Sequence, residues 1–166
     1  MRRLIPAAVA VTALISTTAL AQDRASQKFI TEAVQGNLAE VQMGELAQSN
    51  GQSQEVKQYG QMLVTDHGAA NEKARQAAST IGARPPAGPN AKQKADYDKM
   101  AKLQGAAFDK SFARHMVQDH KKDISQYKKV PAKNDAIGQY AQETLPTLQK
   151  HLEEAQALQK STRAGR

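Results

Sequence analysis

Small and hydrophobic residues recur at alternating intervals of three and four along four segments of the chain. In the second segment the series is Val56, Gly60, Leu63, His67, Ala70, Ala74, Ala77 and Ile81. This spacing is typical of the buried face of helices that pack near +20° in a bundle. The pattern predicts an all-α fold, a four-helix bundle with helices over about 26–48, 53–81, 91–129 and 134–161. A break near Gly105 is an alternative for the third.

Three short segments separate these helices. Residues 49–53 and 130–134 carry turn residues, and residues 81–90 contain three Pro and two Gly, which cannot continue a helix. The segment from Tyr59 to His67 in the second helix resembles the one from Tyr140 to His151 in the fourth. The likeness raises the hypothesis of a duplicated helical hairpin.

The first 21 residues have the three parts of a secretory signal peptide. Arg2 and Arg3 precede an apolar stretch from Leu4 to about Ile15, and Ala19-Leu20-Ala21 is a small-x-small cleavage signal. A membrane anchor is the alternative, but the apolar stretch is shorter than the roughly 20 residues that a spanning helix needs. We therefore expect a signal peptide over 1–21, a bundle domain over 22–166 without a transmembrane segment, and export to the periplasm or cell envelope.

Each predicted helix carries one titratable residue on its apolar face: Glu40, His67, His120 and His151. A buried carboxylate is costly unless it is paired or bound to a cation, and a buried imidazole needs hydrogen-bond partners. Neutral His and Glu are ligands for Zn, Fe, Mn, Ni or Cu. These four residues are the predicted metal site, for a single ion. Straight helices would leave Glu40 and His67 offset by about 7 Å along the bundle.

The alternative is a structural network in which Glu40 pairs with a histidine and no metal is bound. The remaining histidine, His115, lies five residues before His120, so it faces another side of the helix and is expected at the surface. Asp66 and Asp119 each precede a histidine and are interpreted as rim residues, caps or partners of the ligands. Asp123 is interpreted as a solvated charge.

Motifs of catalysis are absent from the sequence. No Glu-x-x-His occurs, which disfavours a di-iron carboxylate centre, and neither a hydrolase motif nor a phosphate-binding Gly loop is present. No catalytic residue is predicted. The net charge of +7 falls to about +5 once Arg2 and Arg3 are removed. With 4% aromatic residues the chain offers few stacking platforms, so we predict no specific nucleic-acid partner.

Residues 26–160 contain the motifs Phe29-Ile30-x-x-Ala33, Gly36-x-x-x-Glu40-Val41, Met62-Leu63-Val64-x-Asp66-His67, Phe108-Asp109, Met116-Val117-x-Asp119-His120 and Leu145-Pro146-x-Leu148-x-x-His151-Leu152. With these motifs the stretch resembles a bacterial family of small secreted proteins carried as a domain of unknown function and often labelled outer-membrane proteins. The resemblance implies a ferritin-like four-helix bundle, and the family's recurrent Glu and His positions match the four predicted ligands. It implies no settled activity.

The sequence therefore predicts an exported helical bundle that binds one transition metal through a buried Glu/His cluster. The alternative is a non-catalytic envelope or stress-related interaction protein in which the cluster is structural. Association with the cell envelope is a hypothesis, and no oligomeric state is predicted.

Overall fold

The computed structural model describes the backbone of residues 12–164 and the side chains of residues 24–163. This part of the chain is all-α, with five helices and no strand. They are α1 (Thr12–Asn50), α2 (Gln54–Thr80), α3 (Ala91–Met100), α4 (Gly105–Tyr127) and α5 (Ala136–Ala164). Over these described residues, no helix is both long enough and apolar enough to cross a membrane.

Two helices, α3 and α4, occupy the segment predicted as a third helix over 91–129. The helical path stops at Met100 and resumes at Gly105, whose φ of +61° lies in the left-handed region that favours glycine. The side-chain amide of Asn50 donates to the carbonyls of Ala101 and Leu103 at 3.3 and 2.9 Å, which holds the link against the end of α1. The segment therefore divides near Gly105, as the alternative from the sequence predicts.

At its N-terminal side α1 begins at Thr12, whereas the sequence pattern predicted a start near residue 26. The predicted signal peptide covers residues 1–21, of which residues 1–11 lie outside the described part of the chain. The cleavage prediction therefore stays a prediction.

A buried carboxylate fixes the turn between α1 and α2. Asp109 is 5% exposed and accepts from the backbone amides of Gln52 and Ser53, both at 2.9 Å. The Ser53 side chain in turn accepts from the amide of Val56 and caps α2. This arrangement ties the first turn of α4 to the α1–α2 hairpin and sets the height of one pair relative to the other.

Close packing is strongest within two antiparallel pairs, α1 with α2 and α4 with α5, and α2 and α5 form the main contact between them. Gly44 and Gly60 let α1 approach α2: a Cβ added at Gly44 would lie 2.5 Å from the Gly60 carbonyl oxygen. Gly60, a small residue on the predicted face of the second helix, thus permits the close approach of α1 to α2.

The core consists of two apolar clusters with a polar layer between them. One cluster includes Leu63, Phe112 and Leu158, and the other includes Ile30, Ala74 and Leu148. On each of the four long helices at least one buried polar residue lies in the interval between the two clusters; the polar layer consists of Asn37, Glu40, His67, Asn71, His120 and His151. The apolar clusters bury this layer from both ends of the bundle.

Candidate metal centre

All four predicted ligands lie in the polar layer and are buried. The exposed fractions are 2% for Glu40, 3% for His67, 1% for His120 and 0% for His151. They come from α1, α2, α4 and α5 respectively, one from each long helix. The bundle therefore removes all four from solvent.

Three of the four meet. One ring nitrogen each from His67, His120 and His151 lies within 4.8 Å of the other two, and the ring centroids are 5.2–5.7 Å apart. Among the described residues this is the group of potential ligands that could hold an ion, and Glu40 does not belong to it. The structure thus brings together three imidazoles from three helices.

In each of the three imidazoles, one ring nitrogen is hydrogen-bonded to a residue outside the group of histidines. His67 Nδ1 lies 3.0 Å from the Asn37 side-chain oxygen, and His120 Nδ1 lies 3.0 Å from the Met116 carbonyl oxygen. His151 Nε2 lies 2.9 Å from an oxygen of Asp66. All three partners are acceptors, so each of these ring nitrogens carries the proton.

The other nitrogen of each neutral ring then presents a lone pair. His67 Nε2 is buried and has no hydrogen-bond partner. His120 Nε2 and His151 Nδ1 face each other at 3.3 Å. A hydrogen bond between these two nitrogens would need one ring to move its proton inward. The Met116 carbonyl or the Asp66 carboxylate would then lose the N–H that it accepts from. Three lone pairs therefore converge with no proton left among the neutral rings to share.

Burial keeps these rings neutral. It is the main cause that lowers the pKa of His120 to about 4, and the neighbouring His151 adds to the effect. Burial also places the pKa of His67 well below its ordinary value, with His120 and His151 contributing further. The pKa of His151 is lowered by burial and partly restored by Asp66. Neutral imidazole is the form that ligates a metal.

A hydrogen-bonded chain supports His67 from behind. The Asn37 amide donates to the Tyr140 hydroxyl at 3.0 Å, and this hydroxyl lies 2.9 Å from that of Tyr127. Sequence reasoning missed Asn37 because it assigned the buried position on α1 to Gly36, one residue earlier. A polar residue three positions before Glu40 was the available signal.

Glu40 lies in a different environment, among carboxyl groups. Burial raises its pKa well above the ordinary value, and the charges of Asp119 and Asp123 and a hydrogen bond with Asp119 raise it further. Its Oε2 is buried without a hydrogen-bond partner. The carboxyl group of Glu40 therefore ionises less readily than that of an ordinary glutamate.

The residues around the ligands differ in part from expectation. Asp66 is a hydrogen-bond partner of His151, one of the roles considered for it. Asp123 was interpreted as a solvated charge, but its side chain is 17% exposed and burial raises its pKa to about 7, helped by Asp119. His115 is half-buried on α4 and lines a cleft that also contains Glu40 and Asp119.

Comparison with protein families identifies the family of this chain. Residues 10–158 match the family described as Domain of unknown function (DUF4142), and the chain belongs to this family. No curated protein matches it. No solved structure matches it either.

Proposed function

We propose that this protein is an exported, ferritin-like four-helix bundle that binds one transition-metal ion through His67, His120 and His151. The convergence of three deprotonated ring nitrogens carries the proposal. Each ring is oriented by a hydrogen bond from its other nitrogen, which is the usual arrangement around metal-bound histidine. The pattern of residues 1–21 supports export.

The spacing of the nitrogens fits a metal. Two nitrogens bound at about 2.0–2.1 Å with a tetrahedral angle are about 3.4 Å apart. His120 Nε2 and His151 Nδ1 are 3.3 Å apart, so they would need little movement. His67 would need at most a modest approach, since its ligand atom lies within 4.8 Å of the other two.

The donor set suits borderline divalent ions. The chain has no Cys, so no thiolate can select a soft metal. Imidazole suits Zn, Cu, Ni and Fe, and among divalent ions Cu²⁺ binds nitrogen sites most strongly. The role we infer is binding, storage or sensing, because the chain contains no catalytic motif.

A purely structural cluster explains the layer less well. It requires a proton between His120 and His151, which a neutral ring could supply only by losing its hydrogen bond to Met116 or Asp66, and it gives His67 Nε2 no partner. An unpaired buried polar atom lowers stability by about 1–3 kcal/mol. A bound metal would satisfy all three nitrogens at once.

Titration of metal-depleted protein with Zn²⁺ and Co²⁺ tests the proposal. We expect one ion per chain and, with Co²⁺, the visible absorption of a low-coordinate nitrogen site. His67→Gln and His120→Gln should each weaken binding at least 100-fold while circular dichroism shows an intact fold. His115→Gln is the matched control, because His115 is half-buried and outside the group of three.

Two results would contradict the proposal. One is the absence of stoichiometric binding by the wild type. The other is an equal loss in His115→Gln and His120→Gln, which would indicate nonspecific binding by histidine.

A further inference from the structure

A cleft between α1, α3 and α4 lies beside the candidate centre. It has a volume of about 40 Å³ and is lined by Glu40, Asp96, His115 and Asp119, the residues that define what we name the acidic cleft. A single water needs about 10–15 Å³, so this space admits a small ion with part of its hydration shell. Its four side chains offer oxygen and nitrogen ligands from the surface inward.

Glu40 forms the inner end of the acidic cleft. It lines the space yet is only 2% exposed, and its Oε2 has no hydrogen-bond partner. Asp119 shares a hydrogen bond with it. A buried carboxyl atom without a partner disfavours folding unless it serves a ligand. This unsatisfied oxygen is an observation independent of the acidic character of the cleft.

Two residues at the inner end of the acidic cleft lie close along their helices to residues of the centre. Glu40 lies three residues after Asn37 and therefore on the same helix face, and Asn37 contacts His67 at 3.0 Å. Asp119 directly precedes His120 on α4. Glu40 is thus about one helical turn from the partner of one ligand, and Asp119 is the chain neighbour of another.

Other approaches to the centre present protons in place of lone pairs. Asp66 has a side chain 35% exposed, and the nitrogen of His151 that faces it carries the N–H. On the side of Asn37, His67 also presents its N–H. A nitrogen that carries its proton has no free lone pair for a cation. An ion arriving beside Asp66 or Asn37 would therefore meet no nitrogen ligand until it reached the inward nitrogens.

We propose that the acidic cleft is the route by which a divalent cation reaches the three-histidine centre, with Glu40 as the ligand that transfers it inward. The inference rests on the proposed function. At the mouth, Lys92 pairs with Asp96 along α3 at 2.6 Å, and Lys122 pairs with Asp119 along α4 at 3.8 Å. Both lysine side chains are more than half exposed, so an arriving cation displaces them easily.

Stopped-flow measurement of Zn²⁺ uptake by metal-depleted protein tests the route. Glu40→Gln keeps the shape of the side chain and removes its anionic form; the association rate constant should fall at least tenfold. The dissociation rate constant should fall equally, because a route affects passage in both directions, so Kd should change less than threefold. His115→Ala, at the half-buried wall, should slow association by a smaller factor.

Glu153→Gln is the matched control, since it makes the same substitution at an exposed position on α5 that does not line the acidic cleft. Its association rate should equal that of the wild type. An unchanged rate in Glu40→Gln would overturn the inference. A Kd weakened tenfold or more in Glu40→Gln would also overturn it, because Glu40 would then be a resident ligand. A wild type that binds no Zn²⁺ would instead refute the proposed function.

Discussion

Asn37→Ala is expected to weaken both folding and zinc binding, because one buried amide serves two partners. Asn37 is 3% exposed; its oxygen accepts from His67 and its nitrogen donates to Tyr140, each at 3.0 Å. A buried polar group that loses its partner lowers stability by about 1–3 kcal/mol. The Tyr140 hydroxyl keeps its hydrogen bond with Tyr127, so the loss of stability from Tyr140 is expected at the low end of this range. We expect the free energy of unfolding of the metal-depleted protein to fall by about 2–4 kcal/mol.

The effect on zinc binding has a separate cause. Without Asn37 the ring of His67 loses the hydrogen bond that fixes its tautomer and orientation. Removal of such a supporting partner lowers metal affinity about 10–100-fold, or about 1.4–2.8 kcal/mol. Urea denaturation measures the first quantity, and calorimetric titration with Zn²⁺ measures the second.

Asn71→Ala provides the matched control. Asn71 is also a buried asparagine of the polar layer, 8% exposed, and its side-chain oxygen has no hydrogen-bond partner. The hydrogen bonds that orient the three histidines involve Asn37, Met116 and Asp66, and none of them involves Asn71. Its replacement should leave zinc affinity unchanged. If Asn37→Ala lost stability but bound zinc like the wild type, the support of His67 would have no bearing on the metal.

Two further predictions concern pH. Three histidines with ordinary pKa values would lose zinc affinity on the order of 1000-fold between pH 7.5 and 5.5. The pKa of His120 is about 4 and those of His67 and His151 are also lowered, so we expect a change of only a few fold by calorimetry; a loss above 100-fold would show that the rings are protonated in the folded protein. The second concerns Asp123, whose pKa burial raises from 3.8 to about 7, so the carboxyl favours the folded state when protonated and loses that contribution as pH rises from about 4 to 7. Asp123→Asn should therefore add up to about 4 kcal/mol to the free energy of unfolding at pH 8 and almost nothing at pH 4, as measured by urea denaturation; an equal gain at both values would exclude titration as the cause.

The helical periodicity was informative about which faces are buried, and less so about height along the bundle. Spacing of three and four identifies the face that carries His67 and His151, because side-chain direction repeats every 3.6 residues. Height depends on the turns between helices, where Asp109 and Asn50 act through contacts distant in the chain. Straight helices would leave an offset of about 7 Å between Glu40 and His67. In the structure the α1 residue that meets His67 is Asn37, one turn earlier than Glu40.

The hydrogen bonds of the polar layer give the duplicated-hairpin hypothesis a structural argument. Tyr59 and Tyr140 occupy matching positions in the two similar segments of α2 and α5. The hydroxyl of Tyr59 donates to the carbonyl of His151 at 3.0 Å, and that of Tyr140 holds the amide that supports His67. Each tyrosine thus braces the histidine of the other half.

Such reciprocity is what two copies of one hairpin, packed about a twofold axis, would produce. The two contacts differ, since Tyr59 acts directly on the backbone and Tyr140 acts through Asn37. The two hairpins also contribute unequally to the centre. The α1–α2 hairpin supplies one histidine, from α2, and the α4–α5 hairpin supplies two, one from each helix. A fully symmetric pair of hairpins would present an even number of ligands. The α1 helix carries Glu40 and Asn37 where α4 carries His120, so the polar layer holds three imidazoles and one carboxyl group, and this carboxyl group lies outside the group of potential ligands.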